Sequence, residues 1–209
     1  MDTFKKQVDR SAYNFWRYCG LDRWVSYHHQ LSEILRMEPK EVLEVGVGDG
    51  VIASYLKNNT DVRYTSVDIA DDVGADINGS ITALPCADKS YDVVCAFEVL
   101  EHIPFEQVPQ AVAELARVAR KGVLVSVPHF GPSIRFSCKI PFLPDIRFAC
   151  KVPVPLKHTF TGQHYWELGK RGYPARRFRK VLEQHFVVQK EFVPFDNQYH
   201  HFFVLTHRT

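Results

Sequence analysis

Short apolar runs alternate along this chain with longer stretches in which apolar residues recur every three or four positions. The short runs are rich in valine and bounded by glycine, aspartate or proline, which is typical of buried parallel strands. They occupy residues 41–45, 64–69, 92–97 and 123–127. The longer stretches predict helices at 4–18, 23–37, 51–57, 105–119 and 175–185. This alternation predicts an α/β fold with a doubly wound sheet that carries helices on both faces.

Two further strands are predicted near the C-terminus, at 186–192 and 201–206. Only residues 193–200 separate them, and this gap is too short for the helical crossover that two parallel strands would need. The pair should therefore be antiparallel, and we expect a seven-stranded sheet that ends in this antiparallel strand pair.

A proline-rich stretch between Pro128 and Pro174 does not follow the alternation. It contains two similar phrases, IRFSCKIP at 134–141 and IRFACKVP at 146–153. Cationic and apolar residues alternate in both phrases, which predicts an extended hairpin with one apolar side and one cationic side. We interpret residues 129–174 as a basic, lid-like insertion on the carboxyl edge of the sheet.

Charge and composition refine this picture. Residues 129–180 hold eleven Lys and Arg against two acidic residues, a local net charge of +9 in a chain whose formal net charge is +2. Hydrophobic residues make up 45%, which is a globular composition, and the five cysteines are expected to be free thiols. No apolar run approaches the ~20 residues of a membrane-spanning helix, and the charged N-terminus does not resemble a signal peptide. We expect a soluble, cytoplasmic protein.

A glycine-rich turn follows the first predicted strand, in the sequence EVGVGDG at 44–50. Glycine allows the chain to turn sharply and a ligand to approach the backbone closely. About twenty residues further on, Asp68 ends the second strand, where a carboxylate can accept hydrogen bonds from ribose hydroxyls. Because Glu44 and Asp49 would repel a pyrophosphate, the turn favours a cationic or zwitterionic ligand.

From about Val42 to Pro128 the chain resembles the class I S-adenosylmethionine-dependent methyltransferases, in particular their type 11-like group. Four phrases occur in the family's order: EVGVGDG at 44–50, VD at 67–68, LPCADKSYDVV at 84–94 and EVLEHIP at 98–104. The resemblance implies a Rossmann-like fold, methyltransferase activity and S-adenosylmethionine as the cofactor.

The family's cofactor contacts transfer to this sequence position by position. The glycine turn would meet the amino-acid end of the cofactor, Asp68 its ribose, and two isoleucines its adenine. The implied contacts are Glu44, Gly46, Gly48, Asp49, Gly50, Asp68, Ile69, Ser80, Ile81, Phe97 and Glu98. Ser80 stands where the family usually has an acid that binds the adenine amino group, so this contact should be weaker or made by a backbone carbonyl. Residues 69–83 are too few for the family's usual helix, which should leave that side of the pocket open.

Methyl transfer from a sulfonium is an in-line displacement and needs a base only when the acceptor arrives protonated. The candidates for this role are histidines that follow strands at the carboxyl edge, and we predict His129 and His102 as catalytic residues.

The phrase EVLEH at 98–102 also resembles the metal-binding phrase of the ubiquinone-biosynthesis O-methyltransferases and of the small-RNA 3′-terminal 2′-O-methyltransferases. Many methyltransferases of this class carry the same phrase without a metal, and our first prediction is that none is bound. The alternative is a Mg²⁺ or Mn²⁺ site formed by Glu98, Glu101, His102 and His164.

A basic insertion with an apolar side favours an anionic, partly apolar acceptor, either small or lipid-linked and methylated at oxygen, and is compatible with peripheral membrane contact. The predicted substrate contacts are Arg135, Lys139, Arg147, Lys151, His158, His164 and Tyr165. Nucleic acid is a less favoured partner because only the charge supports it. DNA base methylation is disfavoured because no Asn/Asp-Pro-Pro-Tyr/Phe phrase follows the fourth strand. The oligomeric state is left open.

Two other functions stay open: a metal-assisted RNA 2′-O-methyltransferase and a non-catalytic binding module that keeps the methyltransferase fold. In each case residues 1–209 are expected to form a single domain. Its expected parts are an N-terminal helical cap at 1–38, a cofactor-binding half at 39–128, the lid-like insertion at 129–174, and a C-terminal helix with a β-hairpin at 175–209.

Overall fold

A computed structural model describes residues 10–154, 156–160 and 162–208. Its strands are β1 (Glu41–Val45), β2 (Arg63–Asp68), β3 (Ile77–Asn78), β4 (Tyr91–Phe97), β5 (Ala119–Pro128), β6 (Ser133–Cys138), β7 (Ile146–Lys151), β8 (Phe186–Phe192) and β9 (His200–His207). Seven of them form one sheet in the order β3-β2-β1-β4-β5-β9-β8. β1 to β5 pair in parallel, whereas β9 runs antiparallel to both β5 and β8. The predicted fold class and its antiparallel last pair are confirmed.

In the described part of the chain the helices are α1 (Phe15–Tyr18), α2 (Leu21–Arg36), α3 (Val51–Asn59), α4 (Val108–Val118) and α5 (Ala175–Leu182). Single 3₁₀ turns occur at Arg10–Ala12, Leu100–His102 and Phe105–Gln107. α2 and α3 contribute to the core on one face of the sheet, and α4 and α5 to the core on the other face. Within the described ranges, none of the helices is long and apolar enough to cross a membrane.

The central strands are largely apolar because both of their faces are covered. In β4, Val93 and Cys95 pack in the core under α2 and α3, whereas Val94 and Ala96 pack in the core under α4 and α5. Successive side chains of a strand point to opposite faces, so a strand between two helical layers favours apolar residues on both faces. This preference explains the valine-rich runs in the sequence.

The N-terminal segment differs from the prediction of one helix over 4–18. Residues 1–9 lie outside the described part of the chain. Beyond them, the 3₁₀ turn and α1 are separate because Asn14 has extended backbone angles (φ −87°, ψ 134°). Its side chain accepts a hydrogen bond from the N–H of Trp16 at 3.0 Å and so caps α1. The prediction of a continuous helix up to Tyr18 is therefore wrong.

The connection from β2 to β4 has no helix in residues 69–90, all of which are described. Its only regular element is the short strand β3, as expected for so short a segment. The carboxylate of Asp76 fixes the connection to β2, since it accepts hydrogen bonds from the backbone N–H and the hydroxyl of Ser66 at 2.9 and 2.8 Å.

The insertion at 129–174 comprises two different parts. β6 and β7 form a two-stranded hairpin that is separate from the main sheet. Residues 163–168, the return segment, instead pack into the core, where Trp166 and Leu168 are fully buried. The indole N–H of Trp166 donates to the carbonyl oxygen of Ile103 at 3.1 Å. The return segment is thus fixed to the turn that follows β4.

We expect Trp166→Ala to lower the free energy of unfolding by about 3–5 kcal/mol, because it removes a large buried side chain and leaves a cavity. Trp16→Ala is the matched control, since Trp16 is 89% exposed. Its effect should stay within about 0.5 kcal/mol. Urea denaturation of both variants provides the measurement, and equal losses of stability would contradict the packing described for the return segment.

Candidate functional site

A cavity of about 390 Å³ lies at the carboxyl ends of β1, β2 and β4. Parallel strands end at the same edge of a sheet, and this edge is where open α/β folds place their ligands. Tyr13, Tyr18 and Arg23 from the N-terminal helical region contribute to the cavity wall, as do Gln163 and His164 of the return segment. The volume falls within the range typical of small-molecule sites.

The glycine turn after β1 lines the cavity with backbone at Gly46 and Gly48. Both have left-handed backbone angles, with φ of +85° and +58°. A Cβ atom at Gly46 would lie 2.4 Å from a methyl carbon of Val99, so no other residue fits there without rearrangement. The turn therefore presents backbone atoms without side chains where a ligand would contact it.

The carboxylate of Asp68 lines the cavity in a fixed orientation. One oxygen accepts a hydrogen bond from the N–H of Val47 at 2.9 Å, and the other from the N–H of Ala70 at 2.8 Å. Each carboxylate oxygen can accept a further hydrogen bond, so the group can bind two neighbouring hydroxyls. Ile69 and Ile81 line the cavity with it and offer apolar surface for a flat ring.

Glu98 follows β4 and also lines the cavity. Its backbone is left-handed (φ +55°), which is unusual for a residue with a Cβ atom and typical of functional sites. Burial raises the pKa of Glu98 to about 7. One of its oxygens lies 3.5 Å from Nε2 of His200, whose Nδ1 lies 2.7 Å from the hydroxyl of Ser26. Burial and the charge of Arg23 lower the pKa of His200 to about 3, so this histidine is neutral at physiological pH.

Glu101, His102 and His164 form a cluster whose potential ligand atoms all lie within 4.8 Å of one another. Glu101 is fully buried, and neither of its carboxylate oxygens has a hydrogen-bond partner from another residue among those described. Burial raises the pKa of this group well above its usual value. Burial and the neighbouring His164 lower the pKa of His102 to about 4.

Both histidines of the cluster are oriented through Nδ1. In His102 this atom lies 3.1 Å from the carbonyl oxygen of Gln163, and in His164 it lies 3.0 Å from a carboxylate oxygen of Glu167. Metal-ligating histidines are commonly held in this way. A buried carboxylate and two oriented imidazoles suit a divalent cation, so the structure brings together three of the four residues named as an alternative metal site.

Eight of the eleven predicted cofactor contacts line the cavity: Gly46, Gly48, Asp68, Ile69, Ser80, Ile81, Phe97 and Glu98. Glu44, Asp49 and Gly50 do not. The carboxylate of Glu44 is buried and accepts a hydrogen bond from the hydroxyl of Tyr64. Asp49 accepts one from the hydroxyl of Tyr27 at 2.6 Å, which ties the glycine turn to α2. The two acids therefore lie outside the cavity lining and stabilise the glycine turn through these hydrogen bonds.

Of the two predicted catalytic histidines, the structure brings only His102 into the cavity. The N–H of His129 donates to the carbonyl oxygen of Tyr199 at 2.6 Å and extends the pairing of β5 with β9. Its ring consequently stacks on His201, with the ring centroids 5.0 Å apart, and lies outside the cavity lining.

His164 is the only predicted substrate contact found in the lining among the described residues. Arg135 and Arg147 point to the loop between β8 and β9, where they contact the carbonyl of Phe195 and the carboxylate of Asp196, both at 3.3 Å. The remaining contacts are also local. Lys139 pairs with Asp145, Lys151 donates to the carbonyls of His129 and Gly131, His158 contacts the backbone of His164, and Tyr165 stacks on Phe160.

Sequence reasoning missed five prominent residues of the lining: Tyr13, Tyr18, Arg23, Tyr199 and His200. Arg23 is the only Lys or Arg among the described lining residues, and its guanidinium lies 4.3 Å from the centre of the Tyr18 ring. An N-terminal cap over this edge was predicted, but no motif distinguishes these positions from other polar and aromatic residues nearby.

Comparison with known proteins gives consistent matches. Residues 43–127 match a family described as a methyltransferase domain. A probable S-adenosylmethionine-dependent methyltransferase of Mycolicibacterium smegmatis (strain ATCC 700084 / mc(2)155) is 32% identical over an alignment that covers 51% of this chain and 46% of that protein. The chain thus spans about half the length of this curated relative.

Two solved structures share the fold at low identity. One is the 1,6-didemethyltoxoflavin-N1-methyltransferase of Burkholderia thailandensis with bound 1,6-didemethyltoxoflavin and S-adenosylhomocysteine. It is 16% identical, has a TM-score of 0.61, and the match covers 95% of this chain and 85% of that chain. The other is a protein from Pyrococcus horikoshii OT3, at 14% identity and a TM-score of 0.60, over 89% of this chain and 91% of that chain.

The environment of Glu44 predicts a change in pH-dependent stability. Burial raises its pKa to about 8, so the stability associated with its protonated form is complete below the usual carboxyl pKa and is lost as the pH rises through about 8. Glu44→Gln keeps an acceptor for Tyr64 without a titrating group. Relative to wild type, its melting temperature should therefore rise more at about pH 9 than at about pH 5.

Glu114→Gln is a control that should change the melting temperature in the opposite direction at high pH. The hydrogen bond from Arg117 holds the pKa of Glu114 below its usual value. That stabilisation is present above the usual carboxyl pKa, so this variant should melt at a lower temperature than wild type at about pH 9. A Glu44→Gln variant whose melting-temperature difference from wild type is the same at both pH values would contradict the assigned environment.

Proposed function

We propose that this chain is a class I S-adenosylmethionine-dependent methyltransferase that transfers the methyl group to a hydroxyl oxygen of a small or lipid-linked acceptor carrying an anionic group. The match of residues 43–127 to a methyltransferase domain and the similarity to a probable S-adenosylmethionine-dependent methyltransferase support this proposal. The observation that carries this proposal is the arrangement of the cavity lining. Asp68 at the end of β2 lies on one side of the β1 turn, and the Glu98–His102 segment after β4 lies on the other.

The cofactor fits the first of these two sides. Asp68 would accept hydrogen bonds from its ribose, with Ile69 and Ile81 on either side of the adenine. The backbone at Gly46 and Gly48 would contact the methionine portion, which is carried over from the family resemblance. The carboxylate of Asp68 in the lining also provides negative charge for a ligand with a sulfonium and an ammonium group.

A hydroxyl acceptor fits the second side because it needs a group that takes its proton. The pKa of Glu98 is raised to about 7, which is suited to a general base at neutral pH. Glu101, His102 and His164 would hold a divalent cation, which when bound lowers the pKa of a hydroxyl coordinated to it. Arg23 is positioned in the lining to pair with an anionic group of the acceptor.

The acceptor class can be tested with cofactor that carries a radioactive methyl group. The protein is incubated in parallel with a lipid extract, a small-molecule extract and total RNA, and the label is counted in each fraction. We expect the label in the lipid or small-molecule fraction. Transfer to RNA alone would contradict the proposed acceptor, and absence of transfer to any fraction despite cofactor binding would favour a non-catalytic module.

Glu98→Gln should separate the chemical step from binding. Loss of a general base lowers kcat by roughly 10²–10⁴-fold. We expect this fall in kcat for Glu98→Gln. The affinity for S-adenosylhomocysteine should change by less than about threefold, which is less than the contribution of one hydrogen bond. Single-turnover kinetics and calorimetry measure the two quantities. A wild-type kcat in the variant would remove Glu98 from the proposed chemistry.

Asp68→Ala should weaken binding of S-adenosylmethionine by roughly ten- to a hundredfold, because it removes a charged acceptor for the ribose hydroxyls. Asp71→Ala is the matched control, since Asp71 is exposed and lies outside the cavity lining. Isothermal titration calorimetry of both variants gives the affinities. Equal affinities in the two variants would show that the ribose does not bind at Asp68.

The cation site predicts a stability increase with Mn²⁺ that depends on the cluster. Binding to the folded protein alone raises the melting temperature with metal concentration. The increase should disappear in His102→Ala and persist in His185→Ala, whose histidine is exposed and outside the cluster. If millimolar Mn²⁺ gives the same shift in both variants, the cation binds elsewhere.

A further inference from the structure

The hairpin of β6 and β7 has one face made of apolar side chains. The two strands pair so that Phe136 lies opposite Phe148, Ile134 opposite Cys150, and Cys138 opposite Ile146. Directly paired residues lie on the same side of an antiparallel ladder. The repeated phrase thus places Ile, Phe and Cys of both copies on one surface, which we call the apolar face.

The apolar face is turned away from the protein. Ile134, Phe136, Ile146 and Phe148 are each more than half exposed. The opposite face carries the cations, of which Arg135, Arg147 and Lys151 contact the body of the protein, although both arginines stay exposed. Arg135 and Arg147 contact the loop between β8 and β9, and Lys151 donates to two backbone carbonyls at the base of the hairpin. A hairpin on a soluble surface would normally bury its apolar side, so this orientation indicates a partner for the apolar face.

The exposed apolar surface continues in two directions. At the hairpin turn, Ile140, Phe142 and Leu143 are exposed, and Phe142 is entirely so. Beside the hairpin, a groove is lined by Arg147 together with Leu21 and Trp24 at the start of α2. These two side chains are 86% and 46% exposed. Exposed aromatic and aliphatic residues therefore also occur at the hairpin turn and beside Arg147.

We propose that the apolar face and the hairpin turn dock the protein on a membrane surface that contains anionic phospholipid. Residues 133–154 carry four cations and one acid, so apolar side chains that enter the headgroup region would be accompanied by a net positive charge. Apolar insertion combined with attraction to anionic headgroups is how interfacial segments bind bilayers.

A second copy of this chain fits the apolar face less well. A two-fold symmetric contact places each surface against its own copy, so the net positive charge of residues 133–154 would face the same positive charge across the interface. Headgroup phosphates avoid this repulsion. The docked orientation would also bring the cavity close to the bilayer, because the loop between β8 and β9, which Arg147 contacts, ends at Tyr199 and His200 of the cavity lining. Such proximity would favour lipid-linked acceptors, an inference that rests on the proposed function.

The test is cosedimentation of the full chain with vesicles, measured without cofactor so that the outcome does not depend on methyl transfer. Vesicles of phosphatidylcholine alone are compared with vesicles in which phosphatidylglycerol replaces part of it. We expect wild type to sediment with the anionic vesicles and to be released by salt. Phe136→Ser with Phe142→Ser should lower the bound fraction by at least about tenfold, because two exposed aromatic groups no longer enter the headgroup region.

The control is Tyr55→Ser with Val187→Ser, which removes two apolar side chains, 45% and 44% exposed, from α3 and β8. It should bind vesicles as wild type does. Lys139→Gln should lower binding to anionic vesicles by about fivefold and leave binding to phosphatidylcholine unchanged.

Three results would overturn the proposal. Wild type that sediments with neither type of vesicle has no such surface. A Phe136→Ser, Phe142→Ser variant that binds vesicles as wild type does would show that the apolar face is not the contact. A wild-type dimer in analytical ultracentrifugation that this variant dissociates, without vesicle binding by either protein, would assign the apolar face to a second copy of the chain.

Discussion

The shape of the candidate site depends on the burial of Trp166. Its ring packs in the core against Phe178, 5.3 Å away between centroids, and its N–H is bonded to the carbonyl of Ile103. This anchor fixes the return segment against the turn after β4, where the N–H of Tyr165 donates to the carbonyl of Glu101 at 2.8 Å. The carboxyl of Glu101 is consequently removed from water, and His164 is held beside His102 with the two rings 5.1 Å apart.

That burial determines the electrostatic character of the site. A carboxylate without hydrogen-bond donors is strongly destabilised in a low-dielectric interior, so the proton is retained or a cation is bound. Glu101 is in this situation, and one oxygen of the buried Glu98 likewise has no partner among the described residues. The nearby histidines His102 and His200 are kept neutral by the same burial. In the proposed reaction Glu98 would take a proton from the acceptor near neutral pH, and a divalent cation at Glu101 would displace the proton that this carboxyl otherwise retains.

The fold and the part of the cavity lining around Asp68 were predictable because both are encoded locally. A valine run, a glycine turn and an acid at the next strand end specify Gly46, Gly48 and Asp68 with little help from distant residues. The acceptor side was not predictable in the same way. Whether Arg23 and His200 face the cavity depends on how α2 packs on β9. The alternation in the hairpin predicted its two faces, but its outward face is set by Arg135 and Arg147 contacting the loop between β8 and β9.

The most direct test of the whole account is a crystal structure of the protein with S-adenosylhomocysteine and Mn²⁺, with diffraction measured at an energy where manganese scatters anomalously. We expect ribose hydroxyls at the carboxylate of Asp68 and an anomalous peak between Glu101, His102 and His164, with the sulfur of the cofactor product directed towards Glu98. A nucleoside bound away from Asp68, or manganese bound away from that cluster, would contradict the account.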